Sequence, residues 1–226
     1  MTAQPAPARP SASVVVARDG TGAIEILMLR RNEQVAFHGG AWVFPGGRVD
    51  EADRTHADES ELVTARRAAA REAHEETGLA LAEDTMWPFS HWTTPVDLPK
   101  RFATWFFATP VTREAEVRID NSEIVDYRWV TPAMALALHA AGELTLPAPT
   151  YVALLGFRDL ADVEALAARL RDVRIQRFLP RLAPIEGGRC TLYQEDAGYE
   201  TLTLDAPGPR HRLLMVGNDW QYQRAF

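Results

Sequence analysis

The chain predicts a mixed α/β fold, and three stretches carry that expectation. Residues 13–18 and 24–31 are β-branched and aliphatic, and they flank Asp19-Gly20 and Thr21-Gly22, the composition of a hairpin. Residues 60–70 are alanine-rich and nearly all good helix formers. The helical run continues to Gly78, which can end a helix in the left-handed conformation. Residues 101–110, with Phe102, Trp105, Phe106 and Phe107, read as a strong strand beyond the helix. Strands on both sides of a long helix call for a sheet with helices packed on it.

The other elements follow in order. Residues 1–12, rich in Pro and Ala, have little to bury and are expected to be disordered. A short apolar strand at 41–44 is ended by Pro45-Gly46-Gly47, and residues 48–59, with three aspartates, read as a loop. Strands are expected at 85–92 and 124–130. Thr131-Pro132 starts a short helix that Gly142 stops. The main domain is thus expected over 13–149. Beyond Pro149, Leu160, Val163, Leu166, Leu170 and Val173 mark an amphipathic helix at 160–173. Short strands are expected at 177–184, 190–194, 199–204 and 211–216. The 150–226 segment reads as a small α+β extension that packs on the domain or forms a homodimer contact.

Composition narrows the function. The 226 residues are 46% apolar and 24% charged, ordinary for a globular chain, and suit one large domain with an extension. A formal charge of −7 argues against a nucleic-acid or anionic-membrane binder. One cysteine, Cys190, excludes an intrachain disulfide and reads as a packed residue. No apolar run is long enough to span a membrane and no signal pattern opens the chain, so a cytoplasmic protein is expected.

The stretch that demands an explanation is Arg71-Glu72-Ala73-His74-Glu75-Glu76-Thr77-Gly78-Leu79. At about 100° per residue, Glu72, Glu75 and Glu76 share one wedge of the last helical turns. Acids at a helix C-terminus typically cost about 0.3–1 kcal/mol each. Like charges at these spacings add a few tenths more. Two readings stand: a solvated acidic face, or a site for a divalent cation, since Mg²⁺ is held by carboxylates together with substrate phosphates.

Read with Phe44-Pro45-Gly46-Gly47, this stretch resembles the Nudix hydrolase signature: Gly, five residues, Glu, seven residues, then Arg-Glu-apolar-x-Glu-Glu-x-Gly-apolar. Arg71, Glu72, Ala73, Glu75, Glu76, Gly78 and Leu79 match its second half. The first half departs by an insertion of about ten residues between Gly47 and Arg71. Glu59 and Glu61 are candidates for the middle glutamate. A box with an insertion after Phe44-Pro45-Gly46-Gly47-Arg48-Val49-Asp50 is similar to a subgroup containing coenzyme A and acyl-coenzyme A diphosphatases. A motif upstream of the box in those enzymes is matched at Leu27, Met28, Arg31, Gly40 and residues 44–47, and departed from at Leu29, Asn32 and Ala36.

The resemblance implies an α/β/α sandwich with a mixed sheet. It also implies Mg²⁺- or Mn²⁺-dependent attack of water on a phosphorus of a small-molecule nucleoside diphosphate derivative, with coenzyme A or acyl-coenzyme A as candidates. Glu72, Glu75, Glu76 and the Gly46 carbonyl would be the metal ligands, and Arg71 would orient a glutamate. Glu123 or Asp126 would supply a further acid. Arg31 and Arg101 are candidates to meet phosphate oxygens. Phe102, Trp92 or Trp105 could stack a base, although alternate aromatics in a strand are usually core. His74 is expected at the surface. The alternatives are another nucleotide-sugar or dinucleotide diphosphatase, or a non-catalytic regulator that binds a ligand on the same scaffold.

Overall fold

A computed structural model describes residues 6–35, 38–119 and 121–225. The sheet is built around β1 (Arg9–Asp19), whose alternating side chains serve two cores. Val14 and Val16 face one side with Leu27, Leu29 and Phe107. Val15 and Ala17 face the other with Ile24, Ile26, Met28 and Phe106. β1 pairs antiparallel with β2 (Ile24–Arg31) at its end and with the short β4 (Gly46–Arg48) at its start; β3 (Trp42–Val43) pairs with β2. Along its whole length it runs parallel to β6 (Phe102–Pro110), which pairs antiparallel with β5 (Trp87–Thr93). β7 (Ile124–Val130) lies antiparallel on β2. The result is a mixed sheet, as expected.

The first face carries α1 (Glu61–Thr77). Ser60 caps it, and Gly78, at φ 72°, ends it with an N–H bond to the His74 carbonyl. Ala65, Ala68, Ala69 and Ala73 are at most 1% exposed against the sheet. Their small side chains bring the helix backbone close to β1, and Phe107, fully buried between them and the sheet, contributes about 1.5–3 kcal/mol. On the other face sit α2 (Pro132–Ala140), α3 (Ala148–Phe157) and α4 (Val163–Leu170), which bury Ala135, Leu154, Phe157, Leu166 and Leu170. This is the α/β/α sandwich. No helix of the described residues is long and apolar enough to cross a membrane.

Several boundaries differ from expectation. β1 begins at Arg9, not Ser13, because β6 alongside pairs with residues that have no strand signal of their own; residues 1–5 lie outside the described set, as does Ala36. The expected loop at 48–59 begins as β4 and contains a 3-10 turn at Glu51–Asp53. Pro149 does not start a new region but sits inside the first turn of α3, where its fixed φ suits a helix start. The helix expected at 160–173 is shorter, although Leu160, Leu166 and Leu170 are buried as its pattern required.

The extension holds more sheet than its sequence suggested. The 177–184 signal divides into β8 (Gln176–Phe178), which joins the main sheet parallel to β5, and β9 (Arg181–Ile185). β9, β10 (Gly188–Leu192), β11 (Arg210–Val216) and β12 (Asp219–Ala225) form a second, antiparallel sheet; residues 199–204 are turns, and β12 was not anticipated. Phe178, Tyr193, Leu213 and Met215 join the same core as Val15 and Trp92, with Trp92 stacked on Phe178 at 3.8 Å between ring centres. Cys190 is fully buried in a small cluster with Ala183 and Leu192, and burial pushes its thiol pKa up, so it is a packed residue.

One buried ion pair ties this second sheet to its turns. The Asp196 side chain, fully buried, accepts from Arg212 Nε and Nη2 at 2.7 and 2.6 Å, and from the His211 and Gly198 N–H groups at 2.9 Å each. Burial acts to raise the Asp196 pKa, but the Arg212 and backbone bonds outweigh it and hold the carboxyl below its usual value. Asp196→Ala leaves a buried guanidinium unpaired and is expected to cost about 3–5 kcal/mol, read as a lower urea midpoint; an unchanged midpoint would contradict this role. Because the folded pKa lies below the unfolded value of about 3.9, the pair's contribution is complete above that pH. It is lost as pH falls through the depressed folded value, and the wild type should show this in acid unfolding where the variant does not.

Candidate active site

The glutamates of α1 meet the glycine loop because β4 is zipped to β1. Ser11 Oγ donates to the Gly47 carbonyl at 2.6 Å, Ser13 Oγ to the Pro45 carbonyl at 3.1 Å, and the Val14 N–H to the same Pro45 carbonyl at 2.9 Å. Gly46 has φ 153°, and a Cβ there would lie 2.3 Å from the Ala12 carbonyl. Only glycine fits. A Cβ on Gly47 would lie 2.5 Å from both oxygens of Glu72, so this carboxylate rests directly on the loop backbone.

The acids of the helix differ sharply in surroundings. Glu76 is 7% exposed and its Oε2 accepts the Gly46 N–H at 2.9 Å. Burial pushes its pKa up to about 8, against the opposing pull of that N–H and of Arg31. Glu72 is half-buried and also raised, first by burial, with Arg71 opposing. Glu75 is 56% exposed. Arg71 gathers the group: Nη1 donates to Glu72 Oε1 at 3.0 Å and Glu75 Oε2 at 3.1 Å, and Nη2 to the Arg48 carbonyl at 3.0 Å. Among the described residues, therefore, no three acidic, histidine or cysteine side chains converge on one point, since Arg71 holds two of the glutamates and Gly46 the third.

Arg71 is itself braced by a residue the sequence reading missed. Its Nε and Nη2 make a two-pronged contact with Asp53 at 2.9 and 3.0 Å, and Asp53 is 3% exposed. Asp53 stands 53 − 47 = 6 positions after Gly47, where the signature has its middle glutamate. The insertion thus follows this position, and a shorter acid fills it. Glu59 does not take that role: it pairs with Arg67 at 2.9 and 3.1 Å and bonds Thr55 and Thr64, fastening the inserted segment to α1. Glu61 is exposed at the start of the helix. The Gly47 to Asp53 spacing was the available signal.

The remaining candidates scatter around one cleft of about 1210 Å³ that opens over Gly46, Gly47 and Glu72. Arg31 and Glu123 both line it and pair at 3.3 Å, with Glu123 64% exposed. Arg101 lines it too, but its guanidinium already donates to the Thr94 and Ala6 carbonyls at 3.2 and 2.6 Å, which makes it a brace of the cleft wall. Phe102 is half-buried on the same wall. Asp126 accepts its neighbour's N–H and does not line the cleft. Trp105 is core on the α1 side, and His74 is exposed.

The profile of the NUDIX domain matches residues 7–148. The chain belongs to the Nudix family. Among curated relatives, a putative nudix hydrolase 7 of Caenorhabditis elegans is 26% identical over 189 residues, covering 68% of this chain and 62% of that protein. The acyl-coenzyme A diphosphatase NUDT19 of Xenopus laevis is 25% identical over 154 residues, 57% of this chain and 40% of that one. The Nudix chain therefore spans less than two thirds of the length of either relative. A crystal structure of a NUDIX hydrolase from Alicyclobacillus acidocaldarius shares the fold at TM-score 0.65 and 22% identity, over 74% of this chain and 97% of its own. The NUDIX domain of Shewanella oneidensis NrtR, solved with ADP ribose, superposes at TM-score 0.51 and 16% identity, over 73% and 90% of the two chains.

Two alanine substitutions in the Nudix loop should separate fold from site. Gly46→Ala meets fixed backbone in a left-handed conformation and should lower stability by about 1–3 kcal/mol. Gly47→Ala meets only the movable end of Glu72, so the melting midpoint should stay close to wild type while the displaced carboxylate reduces any hydrolytic kcat about tenfold or more. Equal melting losses in both would refute the distinction.

Proposed function

We propose that this Nudix domain hydrolyses the diphosphate linkage of a small-molecule nucleoside diphosphate derivative with the help of Mg²⁺ or Mn²⁺. The observation that carries the reading is the Glu76 carboxylate, 7% exposed at a helix end, raised in pKa by burial and placed beside a second raised carboxylate on a glycine loop. A buried acid with no cationic side chain bonded to it is stabilised by a cation of its own. The donor set fits such an ion: Gly46, Glu72 and Glu75 line the cleft, Glu76 is held on the Gly46 N–H, and their carboxylate and carbonyl oxygens are hard ligands. A bound divalent ion would supply charge neutralisation of phosphate oxygens and a more acidic water.

The other residues bind and orient. Arg71, held in place by Asp53, keeps the Glu72 and Glu75 carboxylates turned towards the loop. Arg31 Nε is buried without a hydrogen-bond partner among the described residues, and its guanidinium faces the cleft, where it can receive a phosphate oxygen. Glu123, paired with Arg31 at 3.3 Å and lining the cleft, is our candidate for the group that accepts a proton. Coenzyme A or acyl-coenzyme A is the substrate class we favour, supported by the activity in the Xenopus relative's name and by the upstream match at Leu27, Met28, Arg31 and Gly40.

Glu76→Gln tests the reading in two ways. Hydrolysis of a panel of coenzyme A, acyl-coenzyme A, ADP-ribose and dinucleoside polyphosphates with Mg²⁺, read by product mass, should fall at least about a hundredfold in kcat. Without metal the variant should melt no lower than wild type, because it removes a charge that burial disfavours. Millimolar Mg²⁺ should raise the wild-type midpoint and leave the variant's unmoved. Full activity in the variant, or an equal Mg²⁺ response, would remove the assignment.

A further inference from the structure

The catalytic end occupies only part of the cleft. Part of its wall comes from the extension: Leu182, Arg189, Thr191, Met215 and Trp220 line the same space as Gly46 and Glu72. The pairing of the second sheet explains how. Arg189 lies opposite Met215, and Met215 opposite Trp220, so the three form one row across β10, β11 and β12. Thr191 lies opposite Leu182 in the adjacent row. Side chains alternate along each strand, so Ala183, Cys190 and Leu192 fall on the reverse face, where they form a separate cluster. One face of this sheet forms that separate cluster; on the other, Leu213 and Met215 are buried in the main core, and half-buried Leu182 and Trp220 with the exposed Arg189 line the cleft.

That cation comes from the second sheet, whereas the acids come from α1. Arg189 is exposed, and its guanidinium makes no hydrogen bond or ion pair with a described residue. After the larger effect of the surrounding protein, Arg31 and Arg189 both lower the pKa of His38, which lines the cleft, so the two guanidiniums act on one stretch of its rim. A cleft of about 1210 Å³ exceeds the roughly 300–1,000 Å³ of a typical small-ligand pocket. The diphosphate and its metal need only the loop end.

We propose that this sheet supplies a second part of the substrate site, holding an elongated, mainly apolar arm of the substrate whose hydrogen-bond acceptor meets Arg189. The assignment rests on the diphosphatase reading and adds the substrate's shape to it: a nucleoside diphosphate whose second half is long and largely apolar, rather than a single sugar or a bare phosphate. Leu182, Met215 and Trp220 supply contact area, and Arg189 supplies direction.

Arg189→Gln, at an exposed position, and Leu182→Asp test this in the full-length chain, with melting curves as the check on folding. The probes are hexanoyl-coenzyme A, which has a long arm, and ADP-ribose, which has a short one, both with Mg²⁺. Each variant should raise KM for hexanoyl-coenzyme A about tenfold with kcat within about twofold, and the shift should exceed that for ADP-ribose by about fivefold or more. Equal KM shifts for the two probes, or none, would overturn the proposal. If the wild type hydrolyses neither probe, the diphosphatase reading fails, and a tryptophan-fluorescence titration with hexanoyl-coenzyme A decides the arm site alone. Binding weakened about fivefold or more in the variants sustains it; absent binding, or equal binding in wild type and variants, overturns it.

Discussion

The closeness of α1 to β1 governs the rest of the molecule. Four alanines, none more than 1% exposed, set that distance, and everything in the site depends on it. With the helix this near, the Gly46 N–H reaches Glu76 at 2.9 Å, and the Gly47 backbone leaves no room for a methyl beside Glu72. A bulkier face would move the carboxylates off the loop by more than a hydrogen bond tolerates, since such contacts weaken beyond about 3.2 Å. The same approach creates the electrostatic burden. Glu76 is desolvated and lies at the negative end of the helix dipole, and the one backbone N–H it accepts does not bring its pKa back to the usual range. Fold and site are thus joined by one electrostatic strain, the buried Glu76 carboxyl.

Arg71 shows how that strain is managed within the chain itself. It contacts Asp53, Glu72 and Glu75 at once, so one guanidinium offsets three carboxylates. The contact with Asp53 is the buried one, and it fixes where the fork points. The contacts with Glu72 and Glu75 are more exposed, and Coulomb energies there are screened. A divalent ion can therefore displace them at small cost while the Asp53 anchor stays. This division of a single side chain between a permanent and an exchangeable partner follows from burial alone.

Local chemistry made much of this legible in the sequence. Ser60, the alanine run and Gly78 marked α1 at both ends, and helical spacing put the three glutamates on one side. What was not legible was contact between distant segments. β1 starts at Arg9 because β6, about ninety residues later, pairs with it, and no property of Pro10 announces that. β12 alternates half-buried and exposed residues, a weak signal until β11 lies beside it. Asp53 was within reach of a count from Gly47, but its aspartate replaced the glutamate of the pattern and the insertion drew the eye to Glu59. That Arg189 and Trp220 line the same cleft as Glu72 depends on the whole path of the chain, and no motif encodes it.

Charge placement closes the argument. A chain with a formal charge of −7 repels an anionic substrate unless positive groups are concentrated where it binds. Arg9, Arg31, Arg48, Arg71, Arg101 and Arg189 all line the one cleft, drawn from both ends of the sequence. They are not equivalent. Arg101 and Arg71 are bonded to fixed partners and shape the wall. Arg31 pairs with an exposed glutamate at 3.3 Å, a bridge worth about 0–1 kcal/mol, which a phosphate oxygen can replace without leaving a buried charge behind. Arg189, on another sheet, brings a further cation to the same cleft. Arg31 and Arg189 both act on His38, so strands from two sheets concentrate positive charge on one stretch of the cleft rim, against the overall negative charge of the chain.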